Sequence, residues 1–533
     1  MVAALALALT ASVSAQQTPP PSGSQPQGLP QQQQPTGSAT SANITAIAQY
    51  VVGQATPPVT QGVPVKELTL DDAIQIALEK NLDLQVAKMN PLIQDYNLVQ
   101  ARAAYKPTLT GTFNQNRASS QSTSRLDGVV SLNINQAQQY NLGVNQRVQW
   151  YGGTFGVSFN NGRTYSNSSN SIFNPSYSSS LRLNYTQPLF QNLKIDSNRN
   201  ALRTTVIQRQ ISDVALQSTI ENTKANVRTA YWALRQAIER IEIQRLSLLL
   251  AQQVVADNKV KVEIGTMAPI DQTTAEVQEA QSEQALLNAQ VQWTTAELAL
   301  KRLIVAGPED ELYRSTLNPT TRPGFELQNV DIPSAIQNAT AQRTDIVQQR
   351  QNLDISNLNL EVSKDATKPQ LDMTGSYQLA GTGGLSKDQS GNYFDALYAL
   401  GTLNTPTWTL GLNFNYPIGM AAARASLARA EIQRNQAVQG IKVTELQIAT
   451  DVTNAGLAVQ NSWLQLQAAQ KSRQAAEKNA AAEQTRFDVG MSNPYNVATA
   501  LNNLTNARLG ELQAIVNYVN AVAEFDRIQR VGR

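Results

Sequence analysis

The chain has 533 residues, contains neither cysteine nor histidine, and carries 42 basic and 40 acidic side chains for a net charge of +2. Without these two residue types it cannot form a disulfide, a thiol nucleophile, a Ser–His–Asp triad or the usual zinc sites. The nearly balanced charge gives no reason to expect a nucleic-acid partner. We therefore predict a protein that is not an enzyme and that has no cofactor and no metal site.

The chain begins with an apolar run, MVAALALALTASVSA, which is typical of a secretion signal. We predict a signal peptide over residues 1–15, cleaved after Ala15. Because the usual basic start is missing, we expect the true start a few residues upstream; the alternative is a disordered Ala/Leu-rich start. Residues 16–66 are rich in Gln, Pro, Ser and Thr, and this composition predicts a disordered tether.

The rest of the chain consists of two similar halves, a first structural repeat over 67–325 and a second over 326–533. YKPTL in the first matches TKPQL in the second, LRLNYTQPLF matches LGLNFNYPIG, and IGTMAPIDQTTA matches VGMSNPYNVATA. The offset between the copies falls along the chain because the first copy carries 33 extra residues between its extended segments. The chain is thus an internal tandem duplication.

Each repeat is predicted to contain a short helix, two strands, a long helix, a tip and a second short helix. The predicted helices of the first repeat span about 70–104, 199–263 and 270–305, and the second long helix spans about 423–487. Apolar residues recur every three or four positions along both long helices, which indicates a coiled-coil seam. Helices of this length reach roughly 100 Å, and two short helices stacked end to end match one long helix.

The extended segments alternate apolar and polar residues with a period of two. The predicted strands are about 108–116, 179–190, 370–379 and 407–417. One apolar and one polar face are typical of a transmembrane β-strand around a wet lumen; the alternative is a soluble sandwich with one solvated face. The insertion over 129–163 also alternates, and we favour a hairpin in an outer loop over two additional strands.

The doubled arrangement, the QPLF strand end and the tips KVEIGTMAPIDQTTA and RFDVGMSNPYNVATA resemble the TolC family of outer-membrane efflux and secretion channels over 66–533. The resemblance implies an α+β membrane protein, a trimeric transmembrane β-barrel with four strands per chain or more. A long periplasmic α-helical coiled-coil barrel continues it. Four strands are too few to close a barrel, and open edges in lipid are costly, which agrees with a homotrimer held in outer-membrane lipid.

The tips at 265–270 and 490–495 are the candidate site. Gly265 and Gly490 suit helix ends in a left-handed conformation, and Pro269 and Pro494 suit the first turn of the next helix. Met267 and Met491 are expected to be exposed. The resemblance implies that the tips dock onto a periplasmic adaptor; the alternative is that they are turn residues only. The implied docking residues are Gly265, Thr266, Met267, Pro269, Ile270, Gly490, Met491, Ser492, Pro494 and Tyr495.

The resemblance also implies a gate beside the tips. Asp271 stands where the family has an acidic residue that holds the entrance closed, although it can equally stabilise the start of its own helix. Asn496 and Thr499 occupy two positions that are acidic in the best-known members. We therefore expect no cation binding at this constriction.

The predicted function is a passive outer-membrane export duct with its helical tunnel in the periplasm. By the resemblance it works with the adaptor and with an inner-membrane transporter of RND or ABC type, in multidrug efflux or type I secretion. The alternative is a secreted or periplasmic coiled-coil scaffold without channel activity. The carboxylate pair Asp71–Asp72 begins a helix and gives no reason to expect catalysis.

Overall fold

The computed structural model describes residues 54–58, 62–121, 132–167, 171–324, 326–386 and 391–530. The predicted signal peptide and residues 16–53 of the predicted tether lie outside these ranges. The described residues all belong to one compact unit, residues 51–533. Among the described helices, none combines the length and the apolar content needed to cross a bilayer.

Ten helices account for most of the described chain. They are α1 Leu70–Lys80, α2 Leu82–Ala103, α3 Ser197–Glu263, α4 Pro269–Ile304, α5 Glu311–Arg314, α6 Ile332–Gln342, α7 Thr344–Asp365, α8 Tyr393–Gly401, α9 Ala421–Asp488 and α10 Pro494–Arg530. The long helices α3 and α9 have 67 and 68 residues, so each spans roughly 100 Å. Each begins two residues before its predicted start.

The helix predicted over about 70–104 is in fact two helices. Asn81 has an extended backbone between them, and its side chain accepts a hydrogen bond from the Leu84 N–H at 2.9 Å. Its amide nitrogen donates to the Leu303 carbonyl at 2.9 Å, so the break is anchored to α4. An asparagine that caps a helix in this way ends the preceding one. Arg343 makes the corresponding break between α6 and α7.

The two main hydrophobic cores lie along the two long helices, and the first also includes Val516 of α10. In the first repeat, α3 contributes Val227, Tyr231, Leu234 and Ile238, which pack with residues of α1 and α4. In the second, α9 packs with α6 and α10; the largest contributors are Ile448, Val452, Val459, Leu466, Ile515, Tyr518 and Phe525. The four α3 residues named above recur at intervals of four, three and four positions, which is the spacing that the predicted coiled-coil seam requires.

In the described part of the chain, two sheets accompany the helices. The strands are β1 Val65–Leu68, β2 Thr108–Gln121, β3 Leu132–Arg147, β4 Thr154–Ser166, β5 Ser176–Pro188, β6 Thr316–Pro319, β7 Gln370–Gly384 and β8 Pro406–Asn415. β1 and β6 form a small parallel pair. The other six form one antiparallel sheet in the order β2-β3-β4-β5-β7-β8. The ordered chain therefore begins before residue 66, the predicted end of the tether.

The insertion at 129–163 forms two strands of this sheet, so the preference for an outer-loop hairpin was wrong. β3 pairs with β2 and β4 pairs with β5, which places the hairpin between the two strands predicted for the first repeat. The physical reason is that both segments alternate in phase with their neighbours, as in the contact of Phe113 with Tyr140 at 5.1 Å between ring centroids. The sheet has six strands, within the prediction of four or more.

The short helix α8 lies against β5 and β7 at the end of the sheet away from the long helices. Asn392 and Asp395 form a capping box at its start. The Tyr393 hydroxyl donates to Asn161 at 2.6 Å, and its ring contacts Tyr177 edge to face. Gly381 makes this approach possible, because a Cβ there would lie 2.1 Å from the Ala396 carbonyl oxygen.

Candidate functional site

The six-stranded sheet has one apolar and one polar face. Cross-strand partners on the apolar face form a row over all six strands: Leu109, Val144, Val157, Leu183, Tyr377 and Trp408. The next row, on the other face, is polar or small: Thr110, Gly143, Ser158, Arg182, Gln378 and Thr407. Leu109 and Trp408 are each 73% exposed. An apolar surface of this breadth is unusual for a soluble monomer.

We call the apolar side chains on the apolar face of the sheet the apolar band. They are exposed except for six that are half-buried: Val157, Phe159, Leu181, Leu371, Met373 and Leu379. Its members are Leu109, Phe113, Tyr140, Leu142, Val144, Phe155, Val157, Phe159, Leu181, Leu183, Tyr185, Leu371, Met373, Tyr377, Leu379, Trp408, Leu410, Leu412 and Phe414. On β2 the band is centred on Gly111. The row of cross-strand partners that starts at Gly111 ends at Pro406 on β8, but on β8 the band is centred on Gly411, five residues further along. The band therefore moves five residues toward the long helices over five strand-to-strand steps.

The sheet is open at both sides. In the described chain, β2 pairs only with β3 and β8 only with β7. The outer backbone groups of β2 and β8 are thus available to another strand.

The first tip joins α3 to α4 through a tight C-terminal turn. Gly265 has a φ of +75°, its N–H donates to the Val262 carbonyl at 3.0 Å, and the Thr266 N–H donates to the Lys261 carbonyl at 2.9 Å. This pair of bonds is a Schellman motif. Pro269 opens α4, where its missing N–H costs little. The first tip is thus a short connection with an ordered backbone.

The second tip repeats this geometry. Gly490 has a φ of +77°, its N–H donates to the Phe487 carbonyl at 3.0 Å, and the Met491 N–H donates to Arg486 at 2.8 Å. One difference was missed at the level of sequence. Asn493 caps α10 by accepting from the Asn496 N–H at 2.9 Å, whereas Ala268 in the first tip makes no such bond. An asparagine directly before a proline-initiated helix was the available signal.

The proposed docking residues differ in exposure. Gly265, Thr266, Pro269, Ile270, Gly490, Met491 and Tyr495 are exposed, Met267 and Ser492 are half-buried, and Pro494 is buried. The expectation that Met267 is exposed is therefore only partly met, unlike that for Met491, which is 79% exposed. The Ser492 hydroxyl donates to Glu483. The tips thus present apolar side chains on an ordered backbone.

The gate candidates lie in the first turns of α4 and α10. Asp271 is half-buried, and no side chain in the described part of the chain donates to its carboxylate. Asn496 and Thr499 are exposed, and the Thr499 hydroxyl donates to the Tyr495 carbonyl at 2.8 Å. Within one chain the structure does not bring Asp271 to either residue by hydrogen bonding.

Contacts between the two hairpins near their tips were not foreseen. The Lys261 ammonium lies 3.7 Å from the centre of the Phe487 ring, a cation–π contact. Further along, Gln278 and Asn502 exchange two side-chain hydrogen bonds at 3.0 and 2.9 Å. These contacts hold the α3/α4 hairpin against the α9/α10 hairpin.

A cluster of four charged residues joins α9 and α10. Arg473 contacts Glu511 at 2.6 Å and Glu477 at 2.8 Å, and Arg508 lies 3.7 Å from Glu477. Burial raises the pKa of the Glu511 carboxyl and lowers the pKa of the Arg508 guanidinium. The charges balance, so the cluster forms a neutral polar layer inside the second hairpin.

Comparisons with known proteins agree with this architecture. A sequence model of the family described as outer membrane efflux protein matches residues 154–305 and 335–528. The outer membrane efflux protein BepC of Brucella suis biovar 1 (strain 1330) is 22% identical over 474 residues, which is 87% of this chain and 85% of BepC.

Solved structures share the fold. The Campylobacter jejuni CmeC outer membrane channel superimposes with a TM-score of 0.64 at 18% identity, over 87% of this chain and 86% of CmeC. A membrane protein from Pseudomonas aeruginosa gives 0.65 at 17% identity, over 91% and 96%. The predicted resemblance to TolC-like channels is confirmed. The chain belongs to the outer membrane efflux protein family, and it is an outer-membrane protein with the fold of the TolC-like channels.

Proposed function

We propose that the chain is one subunit of a homotrimeric export duct. Its sheet contributes to a shared β-barrel in the outer membrane, and its helices contribute to a periplasmic tunnel. Family membership supports an export duct in general. The observation that carries the finer proposal is the apolar band on a sheet with two unpaired edges.

The slope of the apolar band supports a barrel embedded in lipid. Strands rise about 3.3 Å per residue and lie about 4.8 Å apart, so a shift of one residue per strand corresponds to a tilt of about 35°. Strands of membrane barrels tilt by about 35–45°. When strands are tilted in a bilayer, an apolar band that stays parallel to the membrane must shift along the strands from each one to the next. A soluble sandwich has no such requirement.

The open edges support closure by further copies of the chain. β2 and β8 run antiparallel to each other across the sheet, so β8 of one copy can pair with β2 of the next in a head-to-tail ring. Three copies would supply eighteen strands, instead of the twelve that four per chain would give. Because barrel diameter grows roughly linearly with strand number, the bore would be about 1.5 times wider.

The tips support docking of a periplasmic adaptor. Ile270 and Tyr495 are exposed beside the ordered turns, at 69% and 66%. Exposed apolar and aromatic side chains at the end of a rigid hairpin are suited to bury against a partner. We propose that an inner-membrane transporter of RND or ABC type acts through this adaptor, in multidrug efflux or type I secretion.

The gate is proposed to lie where the tips of three chains meet around the axis. Among the residues that the structure describes, no side chain donates to Asp271, which leaves its carboxylate to accept a hydrogen bond from a neighbouring copy. Asn496 and Thr499 would line the same constriction with neutral groups. Opening would be a shift of the hairpins that separates the tips.

Single-channel conductance in planar bilayers tests the duct. The purified protein is expected to give discrete conducting events that become larger or more frequent in the Asp271→Ala variant. A scaffold without channel activity gives none, and a conductance absent from both wild type and Asp271→Ala would exclude the duct.

A further inference from the structure

We propose that Arg117 and Arg163 form a clamp for the phosphorylated headgroup of a lipid in the outer leaflet. This inference rests on the proposed function in one respect: the apolar band must lie in a bilayer, with the long helices on the periplasmic side. The two arginines stand on the same face as the band, at the end of the sheet away from the long helices, where α8 packs on this face over Asn161 and Tyr177.

In the six-stranded sheet, the charged residues of strands β2 to β5 are all positive. β2 to β5 carry four arginines and neither aspartate nor glutamate. Arg147 and Arg182 belong to the polar face. Arg117 and Arg163 share the face of the apolar band, because they continue the alternation of Phe113 on β2 and of Phe159 on β4.

Both arginines stand at the same height above the band. Arg117 lies six residues beyond the band's centre at Gly111 on β2, and Arg163 lies six beyond its centre at Val157 on β4. At a tilt of about 35°, six residues raise the Cα atoms about 16 Å above the centre. The apolar band of a membrane barrel is about 25 Å tall, so both Cα atoms lie about 4 Å outside it, at headgroup level.

The two side chains are spaced to act on one headgroup. β3 separates their strands, and their rows differ by two residues, because Gln138 pairs with Gln115 and Arg163 while Gln136 pairs with Arg117. Two strand spacings and two residue rises give a Cα separation of about 12 Å. Both arginines line one groove, together with Gln115, Asn116, Gln136, Gln138 and Tyr165. All five of these neighbours are neutral.

Neither guanidinium has an ion pair or a hydrogen bond in the part of the chain that the structure describes, and both side chains are exposed. A cation at the margin of a bilayer, away from bulk water, is stabilised by an anionic partner. Guanidinium binds phosphate through two parallel charge-assisted hydrogen bonds. The height of the pair and the neighbouring Tyr165 and Tyr177, which suit the aromatic girdle of an interface, favour a lipid headgroup as that partner.

The experiment compares two charge-matched double variants. Full-length protein is purified and placed in phosphatidylcholine nanodiscs that contain either diphosphorylated lipid A or its dephosphorylated form, and the lipid retained per chain is measured by mass spectrometry. Arg117→Gln/Arg163→Gln removes the clamp. Arg147→Gln/Arg182→Gln removes the same charge from the same group of strands, on the opposite face.

We expect the wild type to prefer the diphosphorylated lipid at least tenfold, since one charge-assisted hydrogen bond is worth roughly a factor of ten. Arg117→Gln/Arg163→Gln should lose this preference, and Arg147→Gln/Arg182→Gln should keep it. Equal preference in wild type and Arg117→Gln/Arg163→Gln would overturn the clamp. The clamp would also be overturned if excess inorganic phosphate displaced the diphosphorylated lipid completely, because the site would then be one for a soluble anion.

Conductance of the same preparations separates the clamp from the duct. A clamp variant that conducts like the wild type but retains no lipid A supports both proposals. If the wild type retains lipid A while neither it nor Asp271→Ala conducts, the duct alone is overturned. Unchanged lipid retention in a conducting clamp variant overturns the clamp alone.

Discussion

Arg235 and Glu239 lie one turn apart on α3 and are almost fully buried, with side-chain exposures of 6% and 0%. Arg235 contacts Glu239 at 2.7 Å and donates to the Pro319 carbonyl at 2.8 Å and the Ala55 carbonyl at 3.3 Å. It therefore ties the segment before β1 and the end of β6 to the first core. When Trp232 is aligned with Trp463, the second repeat has the buried Leu466 in its place.

Replacing Arg235 with alanine should lower the free energy of unfolding by about 3–5 kcal/mol, because it removes one partner of a buried ion pair and the buried Glu239 carboxylate loses this guanidinium. Urea unfolding of the detergent-solubilised protein, followed by helical circular dichroism, measures this loss. Arg235→Leu/Glu239→Leu, which removes both charges and places at 235 the leucine of the second repeat, should cost less. If the urea midpoint of Arg235→Ala equals that of the wild type, Arg235 does not stabilise the first core.

The two tip glycines should tolerate alanine poorly for a purely backbone reason. A Cβ at Gly265 or Gly490 meets nothing within 4 Å, but both residues have a positive φ, which costs a non-glycine residue about 1–2 kcal/mol. Faster native-state hydrogen exchange at Thr266 in Gly265→Ala would register this strain.

The control is Gly440→Ala inside α9, where a Cβ also meets nothing and φ is not positive. This change should stabilise the protein by about 0.5–1 kcal/mol. Similar effects at Gly265 and Gly440 would show that the tip conformation carries no strain.

At the residue scale, the sequence was informative about backbone punctuation and less so about burial. Gly265 and Gly490 could be placed at helix ends because only a few residues adopt a left-handed turn. The half-buried state of Met267 and the cation–π contact of Lys261 with Phe487 could not be foreseen. They depend on how one hairpin lies against the other, which no local pattern encodes.

At the scale of elements, α8 packs closely against strand β7 because Gly381 has no side chain. Gly381→Ala should displace this helix, because its Cβ would lie 2.1 Å from the Ala396 carbonyl oxygen and 2.6 Å from the Leu400 nitrogen. We expect faster hydrogen exchange throughout Tyr393–Gly401. Gly375→Ala, on the same strand with nothing within 4 Å of its Cβ, is the matched control and should leave α8 protected. Equal protection of α8 from hydrogen exchange in both variants would show that its packing does not depend on Gly381.

The short helix α5 should respond to pH through Asp310. The Lys80 ammonium donates to this carboxylate at 2.8 Å, and the Leu312 N–H donates at 3.1 Å. The hydrogen bond from Lys80 holds the pKa of Asp310 below its usual 3.8. A carboxyl with a depressed pKa stabilises the fold fully above its unfolded pKa, and this contribution disappears as the pH falls through the folded pKa.

Asp310→Asn should therefore lower stability by about 0.2–1 kcal/mol at neutral pH, as expected for the loss of a partly exposed ion pair, because asparagine still caps the helix. The difference from wild type should stay constant down to about pH 5 and shrink below the unfolded pKa. Thermal unfolding at a series of pH values measures it. A difference that grows on acidification has the wrong sign for this account.

The strands show where element-level prediction stops. Alternation in β3 and β4 was visible in the sequence, but their place between β2 and β5 depends on pairing between distant segments. The absence of an equivalent hairpin in the second repeat favoured a loop, and this inference was wrong because a duplicated unit can gain strands in one copy only. The break at Asn81 was also missed, although asparagine is a frequent helix cap.

At the scale of the whole molecule, ring closure can be tested by cross-linking, since the chain has no cysteine of its own. If the apolar band stays level from β8 of one copy to β2 of the next, Thr112 comes opposite Gly411. Oxidation of Thr112→Cys/Gly411→Cys in membranes should give covalent dimers and trimers on denaturing gels.

Thr112→Cys/Ser376→Cys is the control, because Ser376 lies on the same polar face but on β7, an inner strand. It should stay monomeric. If both pairs remain monomeric while the protein is in the membrane, the proposed head-to-tail contact is wrong.

The extra hairpin β3–β4 also affects how well the circumference of the proposed β-barrel matches that of the helical tunnel. Six strands tilted by about 35° occupy roughly 35 Å of circumference per chain, against roughly 23 Å for four. Long helices packed side by side, with a shorter helix beside each, take about 8–10 Å apiece, so four of them occupy roughly 32–40 Å. The lipid-embedded part and the helical part would then have nearly equal perimeters, and cargo would pass from one to the other without meeting a collar.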